Sequence, residues 1–201
     1  MNATQTPFAP PPLPDGAGLL PFPQGIVFSP SELLPHPTRA QARAFGLALR
    51  SRLLLRLAPG LYVATRPTKF GLAAPSQSEI IESLRARTGQ VIVPTAAWSA
   101  NALGLSTQVP VRPVYWTNGP EQSLMLGKLP ITLRHQAKPW LLYEGPEGDA
   151  LRALEWMGEE LALSTVGRLN RVLPSGWRRL AHTLASRPGS GAPAWVVFAL
   201  A

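Results

Sequence analysis

The sequence predicts an α+β protein in which a small N-terminal winged helix-turn-helix precedes a mixed α/β domain with an antiparallel meander. Three observations predict this class. A 45% hydrophobic fraction over 201 residues is enough to bury a core. A basic helix is followed by a Pro-Gly turn between two apolar runs, and helix-like and strand-like segments alternate farther along the chain. The expected domains are a Pro-rich arm over 1–24, a winged helix over 25–74, an α+β domain over 75–187, and a linker with an apolar tail over 188–201.

Composition narrows the classes of protein before any motif is considered. The chain has no cysteine, which excludes disulfides and cysteine-based metal sites. No run of about 20 residues lacks both proline and charge, so no transmembrane helix and no membrane partner are expected. No basic residue precedes Arg39, so the basic start of a signal peptide is missing and a cytoplasmic location is expected. The Pro-, Gly- and Ala-rich residues 1–24 predict an extended arm, either an interaction ligand or a disordered leader.

The winged helix-turn-helix prediction begins with two helix starts that follow a short strand. Ser29 is the expected N-cap of a first short helix, because Pro30 suits the first turn and Glu32 completes a capping box. Thr38 is the expected N-cap of a second helix that runs to about residue 51. The apolar face of this helix is predicted to consist of Ala42, Phe45, Leu49 and Leu53.

The second helix also carries a basic stripe. Arg39, Arg43 and Arg50 lie within about 40° of one another at 100° per residue, away from the apolar face. Basic charge clustered along one helix is the electrostatic footprint of a nucleic-acid site, whereas a solvated helix face usually mixes charges of both signs. The stripe belongs to an acid-free window over 33–78 that contains seven basic residues: Arg39, Arg43, Arg50, Arg52, Arg56, Arg66 and Lys69.

A β-hairpin is predicted directly after the basic helix. Apolar runs over 53–57 and 61–64 flank the turn Ala58-Pro59-Gly60. Helix, helix and hairpin in this order are the last parts of a winged helix-turn-helix module, whose second helix enters the major groove. Ordinary solubilising charge is the alternative interpretation of each basic residue. The candidate DNA-binding residues are Thr38, Arg39, Arg43 and Arg50 of the helix and Arg52, Arg56, Arg66 and Lys69 of the wing.

Past residue 75 the pattern alternates between helix and strand. Helices are expected over 76–89, 95–103 and 147–186, the last broken at Gly158 and Pro174. Strands are expected over 90–93, 111–117, 123–126 and 129–134, the last three forming the antiparallel meander. Residues 188–193 are expected to be a flexible linker before the apolar tail.

Two stretches of the sequence carry a family resemblance. Residues 49–63 end in a basic and apolar hairpin with the pattern Arg-x-x-x-Gly-Leu-Tyr at 56–62. Residues 93–120 hold a run of small residues followed by three motifs: Asn-x-Leu-Gly-Leu at 101–105, Gln-Val-Pro at 108–110 and Thr-x-Gly-Pro at 117–120. These motifs are similar to those of the AbiEi family of type IV antitoxins. The resemblance covers about residues 25–135.

The resemblance implies an N-terminal winged helix that binds operator DNA and represses its own operon. It also implies a C-terminal domain that counters a nucleotidyltransferase-like toxin, a functional partner rather than a stable physical one. The expected function is therefore that of a DNA-binding transcriptional autorepressor and antitoxin of a type IV toxin–antitoxin system. The alternative is a protein-interaction module that uses a winged-helix scaffold without binding DNA.

No catalytic or metal-binding motif is found in the sequence. His36, His135 and His182 are isolated and lack a partner at metal-ligand spacing. The sequence contains no Gly-x-Ser-x-Gly, no phosphate-cradling Gly-rich loop and no His-Glu-x-x-His. The expectation is a protein that is not an enzyme and that needs no cofactor, metal or small-molecule substrate.

A second group of basic residues lies in the C-terminal half and has two interpretations. It could form a second nucleic-acid surface, for example for RNA. The simpler interpretation is that it pairs with the acidic segment over 155–160. The group consists of Arg168, Arg171, Arg178 and Arg179.

Overall fold

The computed structural model describes residues 22–201, so all but the last three positions of the predicted arm lie outside the described residues. The chain divides into two compact units. The first contains residues 22–89 with Leu124–Pro130, and the second contains Gln90–Ser123 with Ile131–Ala201. The described chain is mixed α+β, which confirms the predicted class at this level. None of the described helices is long and apolar enough to cross a membrane.

The first unit opens with a strand and two helices: β1 (Val27–Phe28), α1 (Pro30–Leu33) and α2 (Arg39–Arg50). Side chains at the predicted caps explain both helix starts. A carboxylate oxygen of Glu32 accepts a hydrogen bond from the Ser29 N–H (2.8 Å) at the start of α1. At the start of α2, Thr38 Oγ1 accepts from the Gln41 N–H (3.2 Å), and Gln41 Oε1 accepts from the Thr38 N–H (2.9 Å).

Two antiparallel hairpins follow: β2 (Leu54–Ala58) with β3 (Leu61–Ala64), and β4 (Arg66–Thr68) with β5 (Gly71–Ala73). The first hairpin is the predicted one, and β1 joins it antiparallel to β3, giving the strand order β1-β3-β2. Gly60 supplies the positive φ (+74°) that its turn requires. The second hairpin was not predicted, because three-residue strands are too short to show an alternating pattern.

Helix α3 (Gln77–Thr88) completes the first unit between the predicted cap Ser76 and the predicted stop Gly89. It contacts the N-terminal strand, where the Val27 N–H donates to Ser83 Oγ (2.7 Å). An ion pair between Arg87 and Glu32 ties α3 to α1. The units therefore divide at Gly89, later along the chain than the boundary predicted at residue 75.

An aromatic cluster packs α2 on the three-stranded sheet. Phe45 of α2 meets Tyr62 of β3 edge to face at 5.0 Å, and Phe22 stacks on Phe28 at 5.9 Å. The buried residues of α2 are Ala44 and Ala48, whereas Ala42, predicted to lie on the apolar face, is exposed. The face is rotated because two alanines allow the helix to approach the sheet closely.

The next elements along the chain are β6 (Ile92–Pro94), α4 (Ala96–Ala102), β7 (Val114–Thr117), β8 (Gln122–Leu126) and β9 (Leu129–His135), of which β8 and β9 are divided between the units because Leu124–Pro130 belong to the first. The strand order is β6-β7-β9-β8, with β6 antiparallel to β7 and β7 parallel to β9. The predicted antiparallel meander is therefore wrong, because β9 lies between β7 and β8. Residues 118–120 do not close a hairpin: Asn118 Oδ1 accepts from the Val91 N–H (2.9 Å), and the Gly119 carbonyl lies 3.0 Å from His135 Nδ1.

Four helices complete the second unit: α5 (Gly145–Met157), α6 (Ala162–Val172), α7 (Trp177–Ala185) and α8 (Ala194–Leu200). The predicted breaks at Gly158 and Pro174 are confirmed. The predicted linker 188–193 contains no helix or strand, and both it and the predicted tail contribute buried residues. Ser190 is buried and its hydroxyl donates to the Ala185 carbonyl (2.6 Å), and the apolar tail is helix α8, whose residues Val196 and Leu200 are core residues.

One buried charge organises the interior of this unit. Arg152 on α5 is 1% exposed. Its Nη1 donates to the carbonyls of Leu141 (3.0 Å) and Tyr143 (2.6 Å). Its Nε donates to Ser99 Oγ (3.1 Å), and its Nη2 donates to Asp149 (2.7 Å). The buried guanidinium is therefore well satisfied, which is the condition under which a charge is tolerated in a core.

Candidate nucleic-acid interface

Helix α2 turns opposite faces toward the core and toward solvent. Ala44 and Ala48 are buried against the sheet, whereas Arg39, Arg43 and Arg50 are all exposed. At 100° per residue, the middle of the arginine stripe lies about 160° around the helix from Ala48. The stripe and the core therefore occupy opposite sides of one short helix.

The arginine stripe has no protein partner within the described part of the chain. The guanidinium groups of Arg39, Arg43 and Arg50 form no hydrogen bond and no ion pair with residues 22–201. The acidic residues that flank the acid-free window, Glu32 and Glu79, both have other partners: Glu32 pairs with an arginine of α3, and Glu79 pairs with an arginine of β4. The stripe therefore keeps its positive charge without a compensating carboxylate.

The same contacts keep the two flanking carboxylates ionised. The hydrogen bond from the Arg87 side chain, and then that from the Ser29 N–H, hold the pKa of Glu32 below its ordinary value. The N–H of Ser76, then its hydroxyl, and then Arg66 hold the pKa of Glu79 below its ordinary value. Both carboxylates are therefore committed to helix caps and ion pairs rather than to the stripe.

Gly46 lies within the stripe and leaves a gap in it. A Cβ at this position would come within 3.6 Å of Arg50 Nη1, so the Arg50 side chain passes over the bare backbone. The Arg50 guanidinium group therefore lies over the partly buried backbone at Gly46.

Thr38, a predicted DNA-binding residue, is the N-cap of α2. Its hydroxyl accepts from the Gln41 N–H and donates to Gln41 Oε1 (3.1 Å). These bonds define a structural role for the side chain and place the first turn of α2, with its partly positive N–H groups, beside Arg39.

Arg52 and Arg56, predicted wing residues, line one cleft of about 460 Å³ with Lys128 at the tip of the β8–β9 hairpin, all within the first unit. Lys128 was missed by sequence reasoning, because it is distant in the chain from the other basic residues.

Arg52 has a left-handed backbone (φ +60°), and it is the one non-glycine residue with positive φ among residues 22–201. Its carbonyl accepts from Thr65 Oγ1 (3.0 Å), which holds this conformation at the end of α2.

The last two predicted wing residues lie on the second hairpin and differ from each other. Arg66 on β4 forms an ion pair with Glu79, so folding brings an acid to this part of the acid-free window. Lys69 is exposed at the hairpin tip, with Nζ 5.0 Å from the ring centre of Phe70. Phe70 is 90% exposed and was missed by sequence reasoning, because no local pattern indicates an exposed aromatic ring at this turn.

The C-terminal arginines do not pair with the acidic segment as predicted. Arg168 donates to the Gly104 carbonyl (2.6 Å), and Arg178 donates to the Leu200 carbonyl (3.0 Å). Glu155 of the acidic segment bonds to Lys138 instead. The simpler interpretation is therefore wrong for these two arginines, because main-chain carbonyls at helix and loop ends take their guanidinium groups. No group of three His, Asp or Glu side chains among the described residues could hold a metal ion.

The chain belongs to a family of unknown function, DUF6088, whose model matches residues 19–173. Among solved structures, the chain is similar to the crystal structure of the RV2827C protein from Mycobacterium tuberculosis. The identity is 16% and the TM-score is 0.39, over 87% of this chain and 75% of that one. A comparison with curated proteins gives no match.

Proposed function

We propose that this protein is a DNA-binding transcriptional autorepressor and the antitoxin of a type IV toxin–antitoxin system, and that it acts by binding rather than by catalysis. In this proposal the first unit is a winged helix-turn-helix, with α1 and α2 as its helices and the β2–β3 hairpin as its wing. The observation that carries the proposal is the arginine stripe of α2. It presents three exposed guanidinium groups without protein partners on the face opposite the core.

Such a stripe suits the major groove of duplex DNA. Arg39 and Arg43 lie in the first turns of α2, the part of a recognition helix that reaches base edges, and arginine binds guanine through two parallel hydrogen bonds. Arg50, Arg52 and Arg56 lie farther along, where contacts to phosphates position the protein. Each neutralised phosphate releases counterions, so these three contacts give a slope of log affinity against log salt of about −2.7.

The antitoxin part of the proposal assigns the second unit to countering a nucleotidyltransferase-like toxin. Its support is the resemblance of residues 93–120, which here form β6, α4, β7 and the loops that join them. Asn101, in the Asn-x-Leu-Gly-Leu motif, donates to the Ser106 carbonyl (3.0 Å) and fixes the loop after α4. Co-expression with a nucleotidyltransferase-like gene from the same operon tests this part. Restored growth without co-purification of the two proteins is expected.

The DNA-binding part is tested by fluorescence anisotropy with 30-base-pair duplexes that tile the DNA upstream of the gene. One duplex is expected to bind at least 100-fold more tightly than a shuffled duplex of the same composition at about 150 mM salt. An Arg39→Ala/Arg43→Ala/Arg50→Ala variant should lose this binding and keep its circular dichroism spectrum. Equal affinity of variant and wild type would overturn the assignment of α2.

A protein-interaction module without DNA binding is the second candidate. The observation that favours it is the loop before β7, where Val109 is 72% exposed and Val111 is 94% exposed. Neighbouring apolar side chains in solvent are typical of a docking surface. The same titration separates the candidates, because a docking module should bind none of the duplexes even at about 50 mM salt.

A further inference from the structure

The tip of the β4–β5 hairpin exposes the most solvent-accessible aromatic ring of the described chain. Phe70 is 90% exposed, although burying a phenylalanine side chain is favourable. It has Lys69 on one side of the turn and Gly71 on the other. Lys69 Nζ stands over one face of the ring, 5.0 Å from its centre. Because Phe70 is so exposed, the other face of the ring is open to a ligand.

Hydrogen bonds hold this tip in one conformation. Thr68 pairs with Gly71 across the strands, and Thr68 Oγ1 donates to the Gly71 carbonyl (2.8 Å). The Phe70 N–H donates to the same hydroxyl (3.2 Å), and Gly71 supplies a positive φ of +114°. A two-residue turn fixed in this way presents its aromatic ring with little conformational entropy left to lose on binding.

The hairpin is also anchored to the end of the arginine helix. The Thr65 N–H donates to the Leu53 carbonyl (3.0 Å), and Thr65 Oγ1 donates to the Arg52 carbonyl (3.0 Å). From Thr65 to the tip, three to four residues of strand span about 13 Å. Half a turn of B-DNA, the step from a major groove to the adjacent minor groove, is about 17 Å. The distance from Thr65 to the tip is thus of the same order as the step between grooves, and the exposed Phe70 ring adds to it.

We propose that Phe70 is a DNA-contacting wedge that stacks on or inserts between base pairs of the adjacent minor groove, with Lys69 on a neighbouring phosphate. This inference rests on the proposed DNA binding and adds the element that reads base stacking. Architectural proteins insert apolar side chains at base steps in the minor groove in this way. The local charge fits a polyanion, since Lys69 beside the ring is exposed and has no ion pair among residues 22–201, whereas Arg66 is paired with Glu79.

A single ring beside a lysine fits duplex DNA better than it fits a membrane or a protein. Membrane-surface segments bury a broad apolar face, and protein hot spots are surrounded by a rim of contacts that excludes water. The flanking tip residues Thr68, Lys69 and Gly71 offer no such apolar rim. A wedge between bases needs only the ring and a nearby cation.

The test uses the full-length protein and the tightest-binding upstream duplex, with 2-aminopurine placed at successive positions. Wild type should raise the fluorescence severalfold at one or two adjacent positions, which reports loss of base stacking. Phe70→Ala should abolish this rise and weaken binding about 10-fold, whereas Phe70→Leu should keep most of the rise because leucine also serves as a wedge. Ile26→Ala is the matched control, since Ile26 is a 53% exposed apolar residue of the same unit.

Three outcomes overturn the inference. If wild type binds the duplex and Phe70→Ala gives the same fluorescence and affinity, the wedge is wrong while the DNA-binding function stands. If no duplex is bound, the proposed function and the wedge fail together. If Phe70 instead governs co-sedimentation with vesicles of phosphatidylcholine and phosphatidylglycerol in a 3:1 ratio, and leaves the DNA signal unchanged, the ring serves a lipid surface.

Discussion

The arginines of α2 and two arginines of the C-terminal helices share one chemistry and differ in their partners. Arg39, Arg43 and Arg50 have no partner within residues 22–201 and remain available to a ligand. Arg168 and Arg178 donate to main-chain carbonyls of their own unit. The difference shows that a cluster of basic residues in sequence does not define a binding surface. What defines it is whether the fold supplies acceptors.

The largest difference in the free energy of unfolding is expected between a substitution of the buried Arg152 and a substitution of an arginine of the stripe. Replacing Arg152 by alanine strands Asp149, two buried carbonyls and Ser99, which should lower the free energy of unfolding by about 3–5 kcal/mol. Arg43→Ala removes an exposed side chain without protein contacts and should change that free energy by less than about 0.5 kcal/mol. Urea denaturation followed by tryptophan fluorescence measures both.

Gly148→Ala is a geometric control for the Arg152 network. A Cβ at Gly148 would lie 1.8 Å from the Tyr143 carbonyl oxygen, one of the acceptors of Arg152. The variant should therefore be destabilised as severely, although it removes no charge. Wild-type stability of either variant would show that this network does not hold the second unit together.

The second contrast concerns the arginines that cap carbonyls. Arg168→Ala and Arg178→Ala should each lower the free energy of unfolding by about 1–2 kcal/mol, because each removes charge-assisted hydrogen bonds to the main chain. Duplex affinity should change less than threefold in both. Arg171→Ala is the matched control for Arg168→Ala, because it removes an exposed arginine from the same helix, α6. It should leave stability unchanged. Loss of DNA binding in Arg168→Ala would extend the interface to the second unit.

Arg52 combines a side chain available for DNA with a strained backbone. Substitutions at this one position therefore test DNA binding and stability separately. Its left-handed φ disfavours side chains with a Cβ, so Arg52→Gly should raise the free energy of unfolding by about 0.5–1 kcal/mol. The same change should weaken duplex binding severalfold by removing a phosphate contact. Arg52→Lys keeps the charge and the strain, and is expected to match wild type in both assays. A drop in stability of Arg52→Gly would mean that the arginine side chain is structural.

The smallest effect is the acid dependence of the first unit. The pKa values of Glu32 and Glu79 are lowered in the folded state, so their stabilising contribution is present above the ordinary glutamate pKa of about 4.3 and is lost as pH falls through the folded values. Stability measured by urea denaturation should therefore decline below about pH 4.3. A Glu32→Gln/Glu79→Gln variant should show a shallower decline, and an unchanged pH profile would contradict the two ion pairs.

Sequence reasoning succeeded where local signals decide the structure. The N-cap at Thr38, the capping box at Ser76 and the stop at Gly89 correctly predicted helix boundaries, since caps act within one turn of helix. The β2–β3 hairpin was predicted from a Pro-Gly turn between apolar runs. The exposed arginine stripe followed from helical periodicity alone.

Prediction from the sequence failed where contacts between distant parts of the chain determine the structure. The parallel pairing of β7 with β9 is accompanied by hydrogen bonds of Asn118 with Val91 and of Gly119 with His135, which no local pattern reveals. Folding also brings Glu79 to Arg66, so an acid-free window in sequence is not acid-free in space. Phe70 was missed because exposure of an aromatic residue at a two-residue turn is set by tertiary packing.

The central claim, that the charge on α2 is reserved for DNA, is tested most directly by the salt dependence of duplex binding. Two triple variants are compared: Arg39→Ala/Arg43→Ala/Arg50→Ala, and the matched Arg112→Ala/Arg171→Ala/Arg179→Ala from exposed positions of the second unit. Each lowers the formal net charge from +8 to +5 by removing three basic residues.

The α2 variant should flatten the plot of log affinity against log salt by at least about 0.9 units, the share of the Arg50 phosphate contact, and should weaken binding further because the base contacts of Arg39 and Arg43 are lost. The matched variant should keep the wild-type slope within about 0.5 units. Equal slopes for the two variants would show that only net charge matters, and would contradict the assignment of α2 as the DNA-binding helix.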